Sequence, residues 1–222
     1  MPLDPTPAPR PQRTTLNGRY VTLVALDAAA HGDDLWELTR APENDRLWEY
    51  LFDGPYRERA AFDASLQAKA ASNDYLFYAI LDRAGRAVGY ASYLRIEPAH
   101  RVIEVGNILF TPALQRTTAA TEAMYLMARH VFDDLGYRRY EWKCNARNEP
   151  SRRAALRLGF SFEGIFRQHM IVKGRNRDTA WYSMLDSEWP ARKAEFERWL
   201  DSANFDEGKQ KTPLRMTDTM VS

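Results

Sequence analysis

A run of small residues between a predicted strand and a predicted helix has the composition of an anion-binding loop. Thr-Thr-Ala-Ala-Thr at 117–121 follows a strand that we expect to end at Thr111. Apolar residues then recur at positions 120, 123, 124, 127, 128, 131, 132 and 135, which predicts a helix beginning near Thr118. The first N–H groups of a helix lack internal partners and carry partial positive charge, so a diphosphate suits them. The same residues also fit an ordinary capped helix, with Thr117 or Thr118 as the N-cap.

A single carboxylate lies in the apolar strand predicted before this loop, at 102–110. Alternation divides that strand into two faces, one with Glu104, Gly106 and Ile108 and the other with Val105, Asn107 and Leu109. Burying Glu104 without a partner would be costly, so it pairs, faces water or has a raised pKa. A raised pKa would suit a general base. The alternative is a surface glutamate paired with Arg95 or Arg101.

Asn148 and Ser151 stand three residues apart at the start of an Arg- and Ala-rich predicted helix. Taken locally, Asn-x-Pro-Ser is an ordinary turn in which either residue caps the helix that follows. Cys144 lies in a predicted strand and is interpreted as a small core residue. His169 is interpreted as structural, with a base in another geometry as the alternative. The spacing of His, Cys and Asp residues indicates no metal site.

Strand and helix patterns must position these residues. Strands are predicted at 20–26, 75–81, 87–96, 102–110, 138–144, 161–166 and 179–185, with a further strand or crossing loop at 168–173. Helices are predicted at 28–40, 57–72, 118–135 and 188–200, and another follows Asn148. The order predicts one α/β domain with a mixed, mostly antiparallel central sheet of about seven strands and helices on both faces.

The composition is that of a globular protein, with 45% hydrophobic and 12% aromatic residues in 222. A net charge of +1 argues against a nucleic-acid partner, and no apolar run has the length that crosses a membrane. The single cysteine excludes an internal disulfide and fits a reducing cytoplasm. Prolines at 2, 5, 7, 9 and 11 predict an extended, mostly disordered arm at 1–13, before one domain at 14–203 and a polar tail at 204–222.

Three features, in this order, resemble the GNAT N-acetyltransferase superfamily, and within it the branch of ribosomal-protein N-terminal (alanine/serine) acetyltransferases. The first is the strand, loop and helix at 102–135 with Thr-Glu-Ala at 121–123. The second is Asn148-x-x-Ser151 with the helix that runs into Leu-Gly-Phe at 158–160. The third is Phe-Glu-Gly at 162–164, which leads to a further hairpin. The resemblance extends over residues 15–200, roughly.

The resemblance implies transfer of an acetyl group from acetyl-CoA to a primary amine by direct attack. Two strands should splay apart around the cofactor, and the backbone of Ile108, Leu109 and Phe110 should pair with its pantetheine. The diphosphate should lie on the loop formed by Gln115, Arg116, Thr117, Thr118, Ala119, Ala120 and Thr121. Asn148 should contact the pantetheine, and Ser151 should donate to the leaving thiolate. The basic clusters at 152–153 and 173–177 are interpreted as solvated faces. The alternative is that one of them binds the 3′-phosphate of coenzyme A.

One position departs from the family pattern. Gln115 and Ala120 fit the pyrophosphate loop of the family, but Thr118 stands where its first glycine is expected. Glycine permits close approach of phosphate and unusual backbone angles. Threonine either replaces part of that contact with its hydroxyl or weakens cofactor binding. The second case would leave a non-catalytic acyl-CoA-binding module.

The resemblance makes Glu104 the candidate base, acting directly or through a water. Trp48, Tyr50 and Asn107 are candidate acceptor contacts, although the aromatic residues between 36 and 56 also fit a plain core. The acceptor is a protein N-terminus, as the branch implies, or a small amine such as an antibiotic, polyamine or amino acid. An acidic pocket would favour a cationic small amine, and a shallow open groove would favour a peptide terminus. A homodimer is compatible with these features.

Overall fold

An eight-stranded sheet forms the centre of the protein in a computed structural model that describes residues 5–206 and 209–216. Its strands are β1 (Leu16–Asn17), β2 (Thr22–Ala25), β3 (Leu76–Leu81), β4 (Ala87–Glu97), β5 (Val102–Phe110), β6 (Arg139–Asn145), β7 (Ser161–Val172) and β8 (Arg175–Leu185). They lie in the order β1-β2-β3-β4-β5-β6-β8-β7. All neighbours are antiparallel except β5 and β6, which are parallel. The predicted mixed sheet is confirmed, with the 168–173 segment forming part of β7.

Five α-helices connect and cover these strands: α1 (Ala28–Thr39), α2 (Arg59–Ala71), α3 (Thr118–Arg129), α4 (Glu149–Arg157) and α5 (Trp189–Leu200). Capping side chains mark the start of three of them: Asp27 for α1, Thr117 for α3 and Asn148 for α4. The Asp27 carboxylate accepts hydrogen bonds from the backbone N–H groups of Ala29 and Ala30, at 2.8 and 2.9 Å. Within the described ranges, no helix combines the length and apolar content needed to cross a membrane.

The hydrophobic core consists of two clusters on opposite faces of the sheet. Alternation along β3 shows the division, because Tyr78 and Ile80 face one cluster while Phe77 and Ala79 face the other. The larger cluster packs under α3 and α5, and the smaller one packs under α1 and α2. Helices on both faces, as predicted, are therefore confirmed.

A bulge interrupts β5 and changes the predicted division of its faces. Between the pairs Ser92–Gly106 and Tyr90–Leu109, β5 has one more residue than β4. Asn107 takes up the extra length with a left-handed φ of 51°. Beyond it the alternation is shifted by one residue, so Leu109 faces the smaller core cluster, on the side of Glu104 and Gly106. Ile108 packs against the larger cluster instead. The prediction that Ile108 shares a face with Glu104 is therefore wrong.

Both ends of the described chain pack against the domain. Ala8 is buried and its N–H donates to the Pro98 carbonyl at 3.0 Å, while the Tyr78 hydroxyl donates to the Gln12 carbonyl at 3.0 Å. The extended arm presents carbonyls that donors on the sheet can reach. This corrects the prediction of a disordered arm for residues 5–13, while residues 1–4 lie outside the described part.

The predicted polar tail is corrected in the same way. Phe205–Asp206 pairs with Lys209–Gln210 as a two-stranded hairpin of β9 and β10. The side-chain amide of Asn204 donates to the carbonyls of Trp199 and Thr212 at 3.0 and 3.2 Å. Leu214 packs against the larger core cluster. Residues 207–208 and 217–222 lie outside the described ranges.

The buried carboxylate of Glu122 fastens the turn before β2 to α3. Its Oε1 accepts the N–H of Arg19 at 2.8 Å, and its Oε2 accepts the N–H groups of Tyr20 and Val21 at 2.5 and 3.0 Å. A Cβ at Gly18 would lie 2.4 Å from Oε2, so only glycine permits this approach. Three backbone donors of the turn thus depend on one side chain.

We expect Glu122→Gln to destabilise the fold by about 2–3 kcal/mol, because the amide loses the charge and turns a donor toward backbone N–H groups. Urea unfolding followed by circular dichroism measures this loss. Glu37→Gln is the matched control, since Glu37 is exposed and pairs only with Arg40 on the same helix surface. It should cost less than about 0.5 kcal/mol. Equal losses in the two variants would contradict a special role for Glu122.

Candidate active site

The parallel pair β5–β6 opens into a gap at its carboxyl end. The strands pair over four residues each, and the last pair is Val105 with Trp142. β5 then continues to Phe110 and β6 to Asn145 without pairing to each other. The splayed strands implied by the resemblance are therefore present. Backbone N–H and C=O groups on the inner edge of β5 are left for an extended ligand that carries amides.

The predicted pantetheine contacts line this inner edge. Ile108 and Phe110 are half-buried, whereas the Leu109 side chain is buried in the smaller core cluster. Leu109 can therefore offer a ligand only its backbone. The Gln115 side chain donates to the Phe110 carbonyl at 2.8 Å, so its amide N–H is used to close the loop after β5.

The loop before α3 leaves backbone donors free at the helix start. Thr117 is the N-cap, and its hydroxyl accepts from the Ala120 N–H at 3.1 Å while donating to the Leu114 carbonyl at 2.6 Å. The N–H groups of Thr118 and Ala119 lie in the first turn, where helix geometry supplies no partner. Arg116 is exposed and adopts a left-handed φ of 60°, whereas Thr118 has no positive φ. The glycine expected at 118 is therefore not required by backbone conformation.

Thr121 lies deeper in α3 than the other predicted loop residues. It is buried, and its hydroxyl accepts from Arg157 Nη1 of α4 at 3.0 Å. Its N–H is the first that can bond the carbonyl of the N-cap residue within the helix. The hydroxyl of Thr121 thus has an internal partner, and its place in the anion site stays a prediction.

Asn148 and Ser151 lie at the start of α4, on the β6 side of the gap. The Asn148 side chain accepts the N–H of Ser151 at 3.1 Å, which is the capping role that the local sequence predicted. Ser151 is half-buried, and its Oγ accepts from Trp142 Nε1 at 3.0 Å. Trp142 is also the last residue of β6 to pair with β5. Ser151 is thus held beside the point where the strands separate.

Glu104 is buried, with 5% of its surface exposed, one residue before the last β5–β6 pair. Lys143 Nζ lies 3.0 Å from Glu104 Oε2 and 2.6 Å from Glu141 Oε2. Arg95 Nε lies 3.7 Å from Glu104 Oε2. Among the described residues no hydrogen-bond donor is aligned on Oε2. Arg95, one of the two predicted partners of Glu104, is therefore confirmed, although the distance is long for an ion pair. The predicted alternative of a surface glutamate is not confirmed, because Glu104 is buried.

Burial raises the pKa of Glu104 above its ordinary value of 4.5, and the charges of Lys143 and Arg95 oppose the rise. The carboxylate therefore combines an elevated pKa with nearby cations that keep it available in the ionised form. Burial also raises the pKa of Cys144, which the Ser151 hydroxyl opposes. Cys144 is a buried member of the larger core cluster, as predicted, and not an exposed thiolate.

The predicted acceptor contacts have different environments. Asn107 is half-buried at the bulge, where its amide donates to the Ser92 hydroxyl at 3.0 Å. Tyr50 is half-buried, and its hydroxyl donates to the Arg147 carbonyl at 3.3 Å. Trp48 is buried in the smaller core cluster and packs edge-to-face on Tyr56. Its assignment as an acceptor contact is corrected, because the ring is enclosed by core residues.

The segment that carries these aromatic residues bridges two parts of the site. Its 42–58 stretch follows α1 and begins with the 3₁₀ helix Pro42–Trp48. Lys173, at the tip of the β7–β8 hairpin, donates to the carbonyls of Trp48 and Asp53 at 2.7 and 2.8 Å. Tyr50 reaches the β6–α4 loop through Arg147. The sheet face that holds Glu104 is thus bordered by this segment, and Lys173 of the basic cluster at 173–177 is internally bonded.

Sequence reasoning missed Lys143 and Trp181 on the face of Glu104, and it interpreted Arg177 as part of a solvated basic cluster, whereas Arg177 is buried. Lys143 Nζ lies 3.7 Å from the centroid of the Trp181 ring, and both residues pair across β6 and β8. Arg177 precedes Trp181 on the same strand and is buried. Alternation of Glu141, Lys143 and Asn145 along β6 was the available signal. This alternation marks one face of β6 as polar, but it does not show which strand lies beside that face.

Comparison with known proteins places this arrangement in a family. A family model described as an acetyltransferase (GNAT) domain matches residues 21–161. A GCN5-related N-acetyltransferase from Brucella melitensis is 51% identical, with a TM-score of 0.92 and coverage of 94% of this chain and 96% of that chain. A probable acetyltransferase (GNAT family) from Chromobacterium violaceum ATCC 12472 is 41% identical, with a TM-score of 0.79 and coverage of 86% and 96%.

The ribosomal-protein-serine acetyltransferase of Escherichia coli (strain K12) is 29% identical over 102 residues, which are 46% of this chain and 56% of that protein. The chain spans little more than half the length of the curated relatives it matches, between 55% and 59%. The family match itself covers more than half of this chain, from β2 through α4, and includes the gap and Glu104. The chain belongs to the GNAT acetyltransferase family.

Proposed function

We propose that this chain is an acetyl-CoA-dependent N-acetyltransferase that acetylates a primary amine by direct attack, with Glu104 as the general base. One observation carries the proposal: a buried carboxylate stands beside the point where two parallel strands separate. Membership of the GNAT family supports acetyl transfer as the chemistry. The acceptor is inferred separately below, from the charges around Glu104.

The residues around the gap fit coenzyme A. The free N–H groups of Thr118 and Ala119 suit its diphosphate, and the exposed side chain of Arg116 stands in the same loop. The unpaired inner edge of β5, at Ile108 and Phe110, suits the amides of the pantetheine. When bound, acetyl-CoA would supply an activated acetyl thioester. The chain's own residues must then bind the amine, remove its proton and stabilise the sulfur that leaves.

Glu104 takes the proton from the amine, directly or through one water. A pKa raised by burial brings this carboxylate closer to the pH at which it works, which improves a general base. Lys143 Nζ pairs with Oε2 at 3.0 Å, and a carboxylate with this partner still has further lone pairs that can accept from the amine or a water. Lys143 in turn is held by Glu141 and by the ring of Trp181.

Ser151 donates a hydrogen bond toward the sulfur at the other side of the gap. Its Oγ accepts from Trp142 Nε1, and its hydroxyl also contacts the Cys144 thiol, so donation to the sulfur of the cofactor would replace that contact. Asn148 orients it by capping the first turn of α4. Asn148 therefore combines the capping role predicted from the local sequence with the proposed contact to the cofactor.

The acceptor is a primary amine at the end of a peptide or on a small molecule. The name of the Escherichia coli relative, a ribosomal-protein-serine acetyltransferase, supports a protein N-terminus. A polyamine is disfavoured, since Arg95, Lys143 and Arg177 bring positive charge to the face of Glu104. The non-catalytic module is less well supported, because Thr118 has no positive φ that would call for glycine.

We expect Glu104→Gln to lower kcat/KM about 10²- to 10³-fold at pH 7, because the amide cannot accept the proton. The acid limb of the wild-type kcat/KM profile should fall at a pH above 4.5, since the carboxylate must be ionised to act and its pKa is raised. That limb should vanish in the variant. Steady-state kinetics across pH measure both effects.

Glu97→Gln is the matched control, because Glu97 is exposed at the end of β4. It should keep both the rate and the acid limb, and all three proteins should bind acetyl-CoA equally in calorimetry. If Glu104→Gln kept the wild-type kcat/KM and the acid limb of its pH profile, Glu104 would not be the general base.

Calorimetry should also show micromolar binding of acetyl-CoA that depends on the N–H of residue 118. Thr118→Pro removes this donor at the first helical position, where proline is tolerated, and the extended backbone of Thr117 suits a following proline. We expect about 10- to 100-fold weaker binding. Thr118→Ala and Thr118→Gly keep the N–H and should bind within about threefold of wild type. Equal affinity of Thr118→Pro and Thr118→Ala would show that the diphosphate lies elsewhere.

A further inference from the structure

We propose that the acceptor amine carries a carboxylate in the same molecule, and that Arg177 binds this carboxylate. The inference rests on the proposed function, because it takes Glu104 to mark where the amine enters. It adds a substrate class, namely amines with an adjacent anionic group.

Arg177 is a buried cation with two unused donor atoms. It is 8% exposed, and within residues 5–206 and 209–216 its Nε and Nη1 have no hydrogen-bond partner. Its guanidinium lies 5.0 Å from the centroid of the Phe52 ring. A buried charge without a partner is costly, so an arrangement that keeps one is suited to a ligand that supplies the missing acceptor.

Strand register places Arg177 on the face that holds Glu104. Arg177, Thr179 and Trp181 alternate along β8, and Trp181 pairs with Lys143 on β6. Residues paired across strands point to the same side, and Lys143 contacts Glu104. Burial lowers the pKa of Arg177, while the neighbouring Cys144 and Glu104 act in the opposite direction.

The carboxylates near Arg177 are already committed to other partners. Glu104 and Glu141 both pair with Lys143. Asp53 pairs with Lys69. Asp178, the next residue on β8, accepts from the Gln168 N–H and the Asn176 amide at 2.7 and 3.0 Å. Arg177 therefore remains the buried cation on this face without a carboxylate of the protein.

A carboxylate is the ligand that matches this geometry. The planar guanidinium presents adjacent N–H donors that fit two carboxylate oxygens, and an aromatic ring on its face leaves those edges free. Phe52 is 52% exposed, so its ring can also contact the acceptor. The carboxylate comes from one of two sources: the α-carboxylate of a free amino acid, or an acidic side chain next to the N-terminus of a peptide.

The test compares matched acceptors in the full-length protein. Free L-amino acids are assayed against their amides, and Ser-Glu-Ala-Ala-amide against Ser-Gln-Ala-Ala-amide. We expect wild-type kcat/KM to favour the carboxylate member of one pair at least tenfold. Arg177→Met should reduce that ratio to near one, mainly through a higher KM. Arg175→Met is the control, because Arg175 is exposed on the same hairpin, and it should keep the wild-type ratio.

A second readout does not require turnover. The preferred carboxylate compound should raise the melting temperature of wild type but not of Arg177→Met. The variant itself should unfold no lower than wild type, since the guanidinium lacks hydrogen bonds that folding would lose. If the carboxylate compound raises the melting temperature but no acetyl group is transferred, the proposed function is contradicted while the carboxylate site at Arg177 is supported.

Three results would overturn the inference. One is that the wild-type protein has a higher kcat/KM for the neutral member of both pairs, or that no carboxylate compound raises its melting temperature. Another is a preference for carboxylate that survives in Arg177→Met. The last is weaker binding of acetyl-CoA by Arg177→Met in calorimetry, which would indicate that Arg177 binds the cofactor and not the acceptor.

Discussion

The parallel contact between β5 and β6 ends at Val105 and Trp142, and the site depends on that ending. Parallel strands that stayed paired would satisfy each other's backbone groups along their full length. Here the inner edges separate, and α3 and α4 begin from the loops that follow the two strands. Free strand-edge groups and the free N–H groups of a helix start therefore meet at one end of the sheet. An extended ligand with amides and a diphosphate satisfies both.

The ion pairs around Lys143 set the electrostatic state of this end. Lys143 lies between Glu104 and Glu141 and over the ring of Trp181. Burial alone would drive Glu104 toward its neutral form, and the positive charge of Lys143 opposes that shift. The ammonium contact thus compensates part of the cost of burying this carboxylate.

The bulge at Asn107 allows β5 to serve two purposes. Before it, Glu104 and Gly106 stand on the face that borders the acceptor side. After it, Leu109 enters the smaller core cluster on that face, while Ile108 packs against the larger one. The left-handed φ of Asn107 takes up the extra residue, and its amide bonds Ser92 of β4. The strand therefore combines a buried carboxylate with a well-packed end.

The amino-acid sequence by itself determined the succession of strands and helices, the small-residue start of α3 and the family. Each of these depends on spacing within a few residues or on an ordered set of motifs, and a chain carries both explicitly. It also singled out Glu104, because one carboxylate interrupts an apolar strand. Only the tertiary structure decided what surrounds that carboxylate. Lys143 and Arg177 come from other strands, and pairing across a sheet is fixed by packing rather than by local pattern. The docked arm and the buried ring of Trp48 were decided in the same way, because each depends on partners distant in the chain.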